Sequence, residues 1–449
     1  MDNRTQEFLT QPVMPLLIRM SAPNTVAFFI QSIVVLTEVW FISKLGTNSL
    51  AAVALAFPLL MITQTMSGGA LGGAITSAIA RSMGANDIEK AERLIWHSVV
   101  ISLGGALTFL LFFLLFGEQL LFLLGGRGDI LKESYTYCSY LFLGGLILWL
   151  SGSMSAVLRG MGNMRFPATL MICTSFLQVF LSGGFILGWY GFPQIGVPGA
   201  AIATLISASV MVVIIFLKLM SKSIPVKLRL KQLILSRDLF NNIFEVAIPA
   251  SVSPLLTVGT ILVLTGLVGT FGTEALAGYG IGSRVEFLMI PLIFGIGTAM
   301  TSIVGANIGA KNIIRAETVG IYGGTSAGVV SIFIGLILAL FPDAWIQFFT
   351  DDVKAFEVTK LYIQIVGPFY IFQGIGLSLY FASQGANAMK WPTIATIARF
   401  LIASIGGGIS VHWFGYGIGS VFIASAIAMM IFGTMIFVSI KKGAWRVNI

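Results

Sequence analysis

One large stretch of this chain is written twice. Gly46-Thr47 recurs as Gly272-Thr273, Thr76-Ser77 as Thr301-Ser302 and Gly84 as Gly309, at offsets of 225 or 226 residues. Pro23 pairs with Pro249, and Met164-Arg165-Phe166-Pro167 pairs with Met389-Lys390-Trp391-Pro392. Gly196-Val197 is echoed by Gly417-Ile418 near the end of the second copy. A period of half the chain means two copies of one big unit, and excludes a solenoid of many short ones.

The medium in which each copy folds follows from its charge. The 449 residues are 57% hydrophobic and 10% charged, against about 25% charged in a soluble domain. A bilayer-embedded chain is therefore expected. Its apolar runs are too long and continuous for barrel strands, and each suits a helix of about 20 residues. Residues 1–15 are a short polar lead, and the first apolar run has full span length, so no removable signal peptide is expected. Twelve spans are expected near 16–43, 50–80, 94–116, 134–157, 167–189, 196–218, 240–269, 280–306, 318–341, 358–382, 393–414 and 417–440. The fold class is all-α and polytopic, with an N-lobe at 1–217, a basic cytoplasmic linker at 218–237 and a C-lobe at 238–449.

The net charge of +8 is explained by topology and calls for no nucleic-acid partner. With the N-terminus in the cytoplasm, 19 of the 26 Lys and Arg residues fall on the inner side. Lys44, Arg127, Lys132, Lys354 and Lys360 fall outside, and Arg284 and Arg399 lie within spans. This bias places both termini inside. Six spans per half is an even number, so the copies are parallel and related by a pseudo-two-fold axis along the membrane normal. That arrangement suits alternating access. The linker reads as a positive-inside segment lying on anionic lipid, with a regulatory role as the alternative.

Function has to come from residues. Asn24, Gln31 and Glu38 are seven apart, hence on one face of the first span. A carboxylate in hydrocarbon faces a bundle interior or a water cavity. Glu38 sits about five residues, roughly 8 Å, from the outer end, so snorkelling to the headgroups is the alternative. Burial favours the protonated form of a carboxyl and a bound cation favours the ionised form, so one group couples proton and cation flow. Pro23 permits a kink in the same helix, and Glu245, ahead of Pro249, reads as interfacial. Thr174, Gln178 and Ser182 form a polar face on the fifth span, either a cavity wall beside the first span or an interhelical hydrogen-bonding seam. Arg284 and Glu286 open the eighth span at i and i+2 and need partners on other helices. Arg399 is the expected counter-ion, in a charge network that is structural or a second protonation site. Ser67 to Ala74, rich in glycine, is expected to be a packing seam, and His97 is expected at the interface. Cys138 and Cys173 offer no metal or disulfide pattern.

Several stretches together give a resemblance. These are Glu38-Val39-Trp40-Phe41-Ile42-Ser43-Lys44-Leu45-Gly46, Arg284-Val285-Glu286 through Pro291 to Val304-Gly305-Ala306-Asn307-Ile308-Gly309-Ala310, and Arg159-Gly160-Met161-Gly162-Asn163. With the duplicated six-span unit, they resemble the multidrug and toxic compound extrusion (MATE) transporters, closest to the DNA-damage-inducible and archaeal branch, over nearly the whole chain. The resemblance implies V-shaped lobes and a cation- or proton-driven antiporter exporting amphipathic, often cationic compounds. That branch usually carries Asp where this chain has Glu38, and an Asn and an Asp where it has Gln178 and Ser182. The missing second carboxylate disfavours a sodium site, because hard cations want several oxygen ligands. Residues 250–255, Ala-Ser-Val-Ser-Pro-Leu, also lack the mid-helix acid of the sodium-coupled branch.

The expectation is a proton-coupled multidrug exporter of a prokaryotic inner membrane. It would work as a monomer, with small organic cations and the bilayer as partners and with no cofactor or metal. A sodium-coupled exporter of the same family is one alternative. A flippase for a lipid-linked saccharide is another, disfavoured because only Arg284 and Arg399 lie in spans. An enzyme is not expected, as there is no HExxH and only two His. Nor is a passive channel, for want of a filter-like repeat or charged ring.

Overall fold

The computed structural model describes residues 3–446, apart from the side chain of Phe287. Helix dominates because a backbone in lipid must satisfy its own hydrogen bonds. After a short α1 (Asn3–Thr10) come α2 (Val13–Ser43), α3 (Thr47–Gly84), α4 (Ile88–Leu123), α5 (Gly128–Leu143), α6 (Gly145–Gly160), α7 (Arg165–Leu187) and α8 (Val197–Met220). The second half holds α9 (Arg237–Gly269), α10 (Thr273–Gly309), α11 (Ile313–Leu340), α12 (Val353–Gly385), α13 (Lys390–His412) and α14 (Gly419–Lys441). Eleven of these are long and apolar enough to cross a bilayer. The pair α5 and α6, bent by 51°, brings the number to twelve if it acts as one span.

The repeat reappears as duplicated bonds. Thr76 Oγ1 donates to the Ala156 carbonyl at 3.0 Å, and its mate Thr301 donates to Phe381 at 2.9 Å. Gly46 and Gly272 turn the chain with φ of 123° and 112°. Asp87 accepts from the Lys90 amide at the start of α4, as Asn312 does from the Arg315 amide at the start of α11. A Cβ on Gly160 would lie 2.7 Å from the Ile79 Cβ, and one on Gly385 would lie 2.5 Å from the Thr301 carbonyl, so both positions need glycine for close helix approach.

Two compact units result. One is built on Val26–Phe244, the other on Gln6–Thr25 with Glu245–Ile449. The helix α2 runs unbroken through Pro23, and its residues change unit at Thr25 and Val26. The glycine-rich stretch expected as a packing seam is one over most of its length: Ser67 and residues 70–74 are buried, and a Cβ on Gly72 would lie 3.8 Å from the Ala156 Cβ. Thr65–Leu71 is a π-helical turn, and Gly68 and Gly69 have nothing within 4 Å of a built Cβ. A second π turn, Ile402–Gly406, interrupts α13. An extra residue per turn frees backbone groups locally and re-aims the helix beyond it.

In each unit the segment after the sixth span folds back on the start of the third. Residues 221–236 run along the foot of α4, with Ile224, Val226 and Leu228 buried. The Glu92 carboxylate accepts from the Lys227 amide at 3.2 Å and pairs with Arg229 at 3.5 Å. At the equivalent place in the other unit, Trp445 is 1% exposed, and Arg446 holds Glu317 through two bonds of 2.8 and 2.7 Å. Glu92 and Glu317 are repeat mates. His97 is not interfacial as expected: it is fully buried. Its Nδ1 faces the Arg93 carbonyl at 2.8 Å and its Nε2 accepts from the Ser236 amide at 3.0 Å.

Candidate functional site

The first unit gathers its polar side chains on α2 and α7. The Glu38 carboxylate accepts from Ser182 Oγ at 2.6 Å and from Gln178 Nε2 at 3.0 Å, both bonds falling on Oε1. Oε2 has no hydrogen-bond partner among the described residues. Ser182 is fully buried and Gln178 is 8% exposed, so the donors sit inside the helix bundle, away from headgroups. The second amide proton of Gln178 goes to Thr204 Oγ1 at 3.0 Å, and Thr204 in turn donates to the Ala200 carbonyl. This chain fixes the Gln178 amide with its nitrogen, not its oxygen, toward Glu38. Tyr137 on α5 is buried in the same neighbourhood, with no hydrogen bond to Glu38 among the described residues. About two turns inward, Gln31 Oε1 accepts from Ser175 Oγ at 3.0 Å, a second bond between the same two helices.

The other expected members lie elsewhere. Asn24 belongs to the second unit, where its Nδ2 donates to Thr298 Oγ1 at 3.1 Å. The stripe Asn24, Gln31, Glu38 is therefore shared between units, and only its last two members join the Glu38 group. Thr174 is buried, but its hydroxyl returns to the Leu170 and Met171 carbonyls of its own helix. It shapes α7 and gives nothing to Glu38. No group of three His, Cys, Asp or Glu side chains able to hold a metal occurs among the described residues.

The second unit has its own charge cluster. Tyr362 on α12 donates to Glu286 Oε1 at 3.2 Å, while Arg399, the expected counter-ion, is a charge in the same neighbourhood that makes no ion pair with Glu286 within 4 Å among the described residues. Arg399 also sits 5.4 Å over the Phe432 ring. Tyr279 and Tyr362 pack edge to face at 5.5 Å beside it. Arg284 does not join: it is exposed, 5.7 Å over the Phe349 ring. Glu245, exposed at the start of α9, accepts from Asn387 Nδ2 at 3.0 Å.

The repeat aligns these two clusters at an offset of 225. Tyr137 and Tyr362 are mates, so an equivalent tyrosine attends the carboxylate in each unit. Thr174 and Arg399 are mates as well. Where the first unit surrounds its acid with neutral donors, the second supplies a fixed positive charge. Each carboxylate comes from a different helix, α2 in one unit and α10 in the other. Sequence reading missed Thr204 and Tyr137. Thr204 lies in an apolar run with no periodic signal, and Tyr137 gains meaning only through the alignment with Tyr362.

Comparison with known proteins gives the same frame. The family described as MatE matches residues 23–182 and 249–409, one block in each half. A probable multidrug resistance protein NorM of Thermotoga maritima is 26% identical over 439 residues, covering 96% of this chain and 92% of that protein. An FAD transporter of Shewanella oneidensis is 25% identical over 390 residues, covering 86% and 84%. Among solved structures, the outward-facing conformation of a multidrug resistance MATE family transporter superposes with a TM-score of 0.89 at 27% identity, covering 99% of this chain and 98% of that one.

Proposed function

This chain belongs to the MatE family of membrane transporters, and we propose that it exports amphipathic cationic organic compounds in exchange for protons. It works by alternating access in a prokaryotic inner membrane, as a monomer with both termini in the cytoplasm. The observation that carries this reading is the hydrogen-bonded Glu38. One half-buried carboxylate with buried neutral donors on Oε1 and no hydrogen bond on Oε2 among the described residues is a group that exchanges a proton for a cation with little rearrangement. Protonation of Oε2 from the outer side removes the negative charge and releases the cargo. Deprotonation toward the inside restores the charge and favours loading.

The driving force is adequate. One pH unit supplies about 1.4 kcal/mol per proton, and 100 mV adds about 2.3 kcal/mol per charge. Sodium coupling is the second reading. It is disfavoured by the same geometry, because Gln178 presents N–H groups where a hard cation needs oxygens. The acid in the first unit supports cationic cargo, and the relatives described as multidrug resistance or export proteins support multidrug scope. The relative named for FAD indicates that cargo varies within the fold.

The test is proton release on binding. Adding a lipophilic organic cation to purified protein in weak buffer should acidify the solution. Glu38→Gln should bind without acidifying it. Equal release by both proteins would remove Glu38 from the coupling role.

A further inference from the structure

We propose that the segment joining the two halves is a two-faced strap whose outer face docks on the anionic cytoplasmic surface of the bilayer. This goes beyond the transport reading and does not depend on it. The inner face is occupied. Ile224, Val226 and Leu228 alternate inward and are 5%, 0% and 8% exposed. Four residues of α4 pin the strap from below. Glu92 takes Lys227 and Arg229, and Arg93 Nε donates to Gln232 at 3.2 Å. Trp96 Nε1 donates to the Arg229 carbonyl at 2.9 Å, and His97 accepts from Ser236.

With its underside fixed, the strap turns the rest of its side chains outward. Leu230 is 80% exposed, and Leu233, Ile234 and Leu235 are 50%, 51% and 49% exposed. These residues lie between the spans Val197–Met220 and Arg237–Gly269, so the hydrocarbon that covers a span's flank does not cover them by default. Four bulky apolar side chains in six residues are costly to leave in water, at about 25 cal/mol per Å². Exposed cations flank and interleave with them: Lys222, Lys231 and Arg237, with Arg229 already paired to Glu92. The acids nearby are Asp238, exposed at the start of α9, and Glu89, already paired with Arg93 at 2.6 Å. A short segment carrying both apolar and basic side chains lies in the plane of an interface and prefers anionic headgroups. The positive-inside bias puts it against the inner leaflet. Charge complementarity commits the surface to anionic phospholipid over a protein partner.

The experiment places an environment-sensitive fluorophore on Leu233→Cys, in full-length protein carrying Cys138→Ala and Cys173→Ala. The protein is reconstituted in nanodiscs of phosphatidylcholine alone or with phosphatidylglycerol. Quenching by aqueous iodide should fall about twofold on adding the anionic lipid, and quenching by headgroup-brominated lipid should rise. High salt should reverse both changes. Lys222→Gln with Lys231→Gln should remove the lipid dependence while leaving the strap's fold, since neither side chain pins it. Full iodide access in both lipids would overturn the proposal. So would equal protection in both, which would mean apolar adsorption with no headgroup recognition.

Discussion

At the scale of single residues, the two units solve the same problem in different ways. Each holds a carboxylate inside a helical bundle beside an equivalent tyrosine. In the first unit Glu38 meets a serine and an amide, both neutral donors, which is the setting the proposed proton exchange requires. Removing one donor should weaken the site without destroying it. Ser182→Ala should shift cargo affinity by roughly fivefold, the effect of about 1 kcal/mol for one hydrogen bond, as read by binding titration. In the second unit Arg399 supplies permanent positive charge to Glu286. Arg399→Gln should remove this nearby positive charge and lower the thermal unfolding midpoint. The double variant with Glu286→Gln should recover most of that loss in thermal unfolding. No recovery would mean that the two side chains are not coupled. The sequence made Glu38 legible because an acid in an apolar run has few structural reasons to be there. It also showed Gln178 and Ser182, through their spacing on one helix face. It misplaced Asn24 and Thr174, because periodicity reports which face a residue is on and not which neighbour that face meets. Arg284 was misjudged for a related reason: at the mouth of a span, an arginine can find an aromatic ring more easily than an acid.

At the scale of elements, the segments that fold back after the sixth span of each unit explain why a 449-residue membrane protein keeps buried acids near the starts of α4 and α11. Glu92 and Glu317 are anchors for the segments that close each unit. The larger plug is Trp445, packed against Gly320, with its Nε1 on Ser383 Oγ at 3.3 Å. Trp445→Ala should lower stability by about 3–5 kcal/mol and reduce the detergent melting midpoint, with cargo binding by the folded fraction retained. A binding loss at temperatures where the variant is folded would instead tie the tail to transport. His97→Leu keeps the volume but strands the Ser236 N–H, and should cost about 1–3 kcal/mol in the same assay. These elements were hidden from sequence because post-span segments look like plain positive-inside linkers. Only the fold shows that alternate residues of 224–228 point inward. The π turns were equally hidden: Ser67 to Ala74 carries small residues suitable for close packing, and nothing in their order announces the hydrogen-bond register of Thr65–Leu71.

At the scale of the whole molecule, the duplication was the most legible feature. It survives as paired turns, caps and side-chain bonds at one offset, because such positions tolerate few residue types. What sequence alignment could not supply was the chemical asymmetry laid over that scaffold. The acids of the two halves do not align; their tyrosines do. One unit therefore sets neutral donors around its acid and the other places an arginine in the neighbourhood of its own, which is why the proposed coupling role is given to the first unit.

The most direct measurement is efflux of a fluorescent organic cation from reconstituted vesicles, driven by an imposed pH gradient with sodium absent, for the native chain and Glu38→Gln. Transport by the native chain, lost in the variant and indifferent to added sodium, is the expected result. Efflux that persists in Glu38→Gln, or that begins only when a sodium gradient is imposed, would contradict proton coupling through this carboxylate.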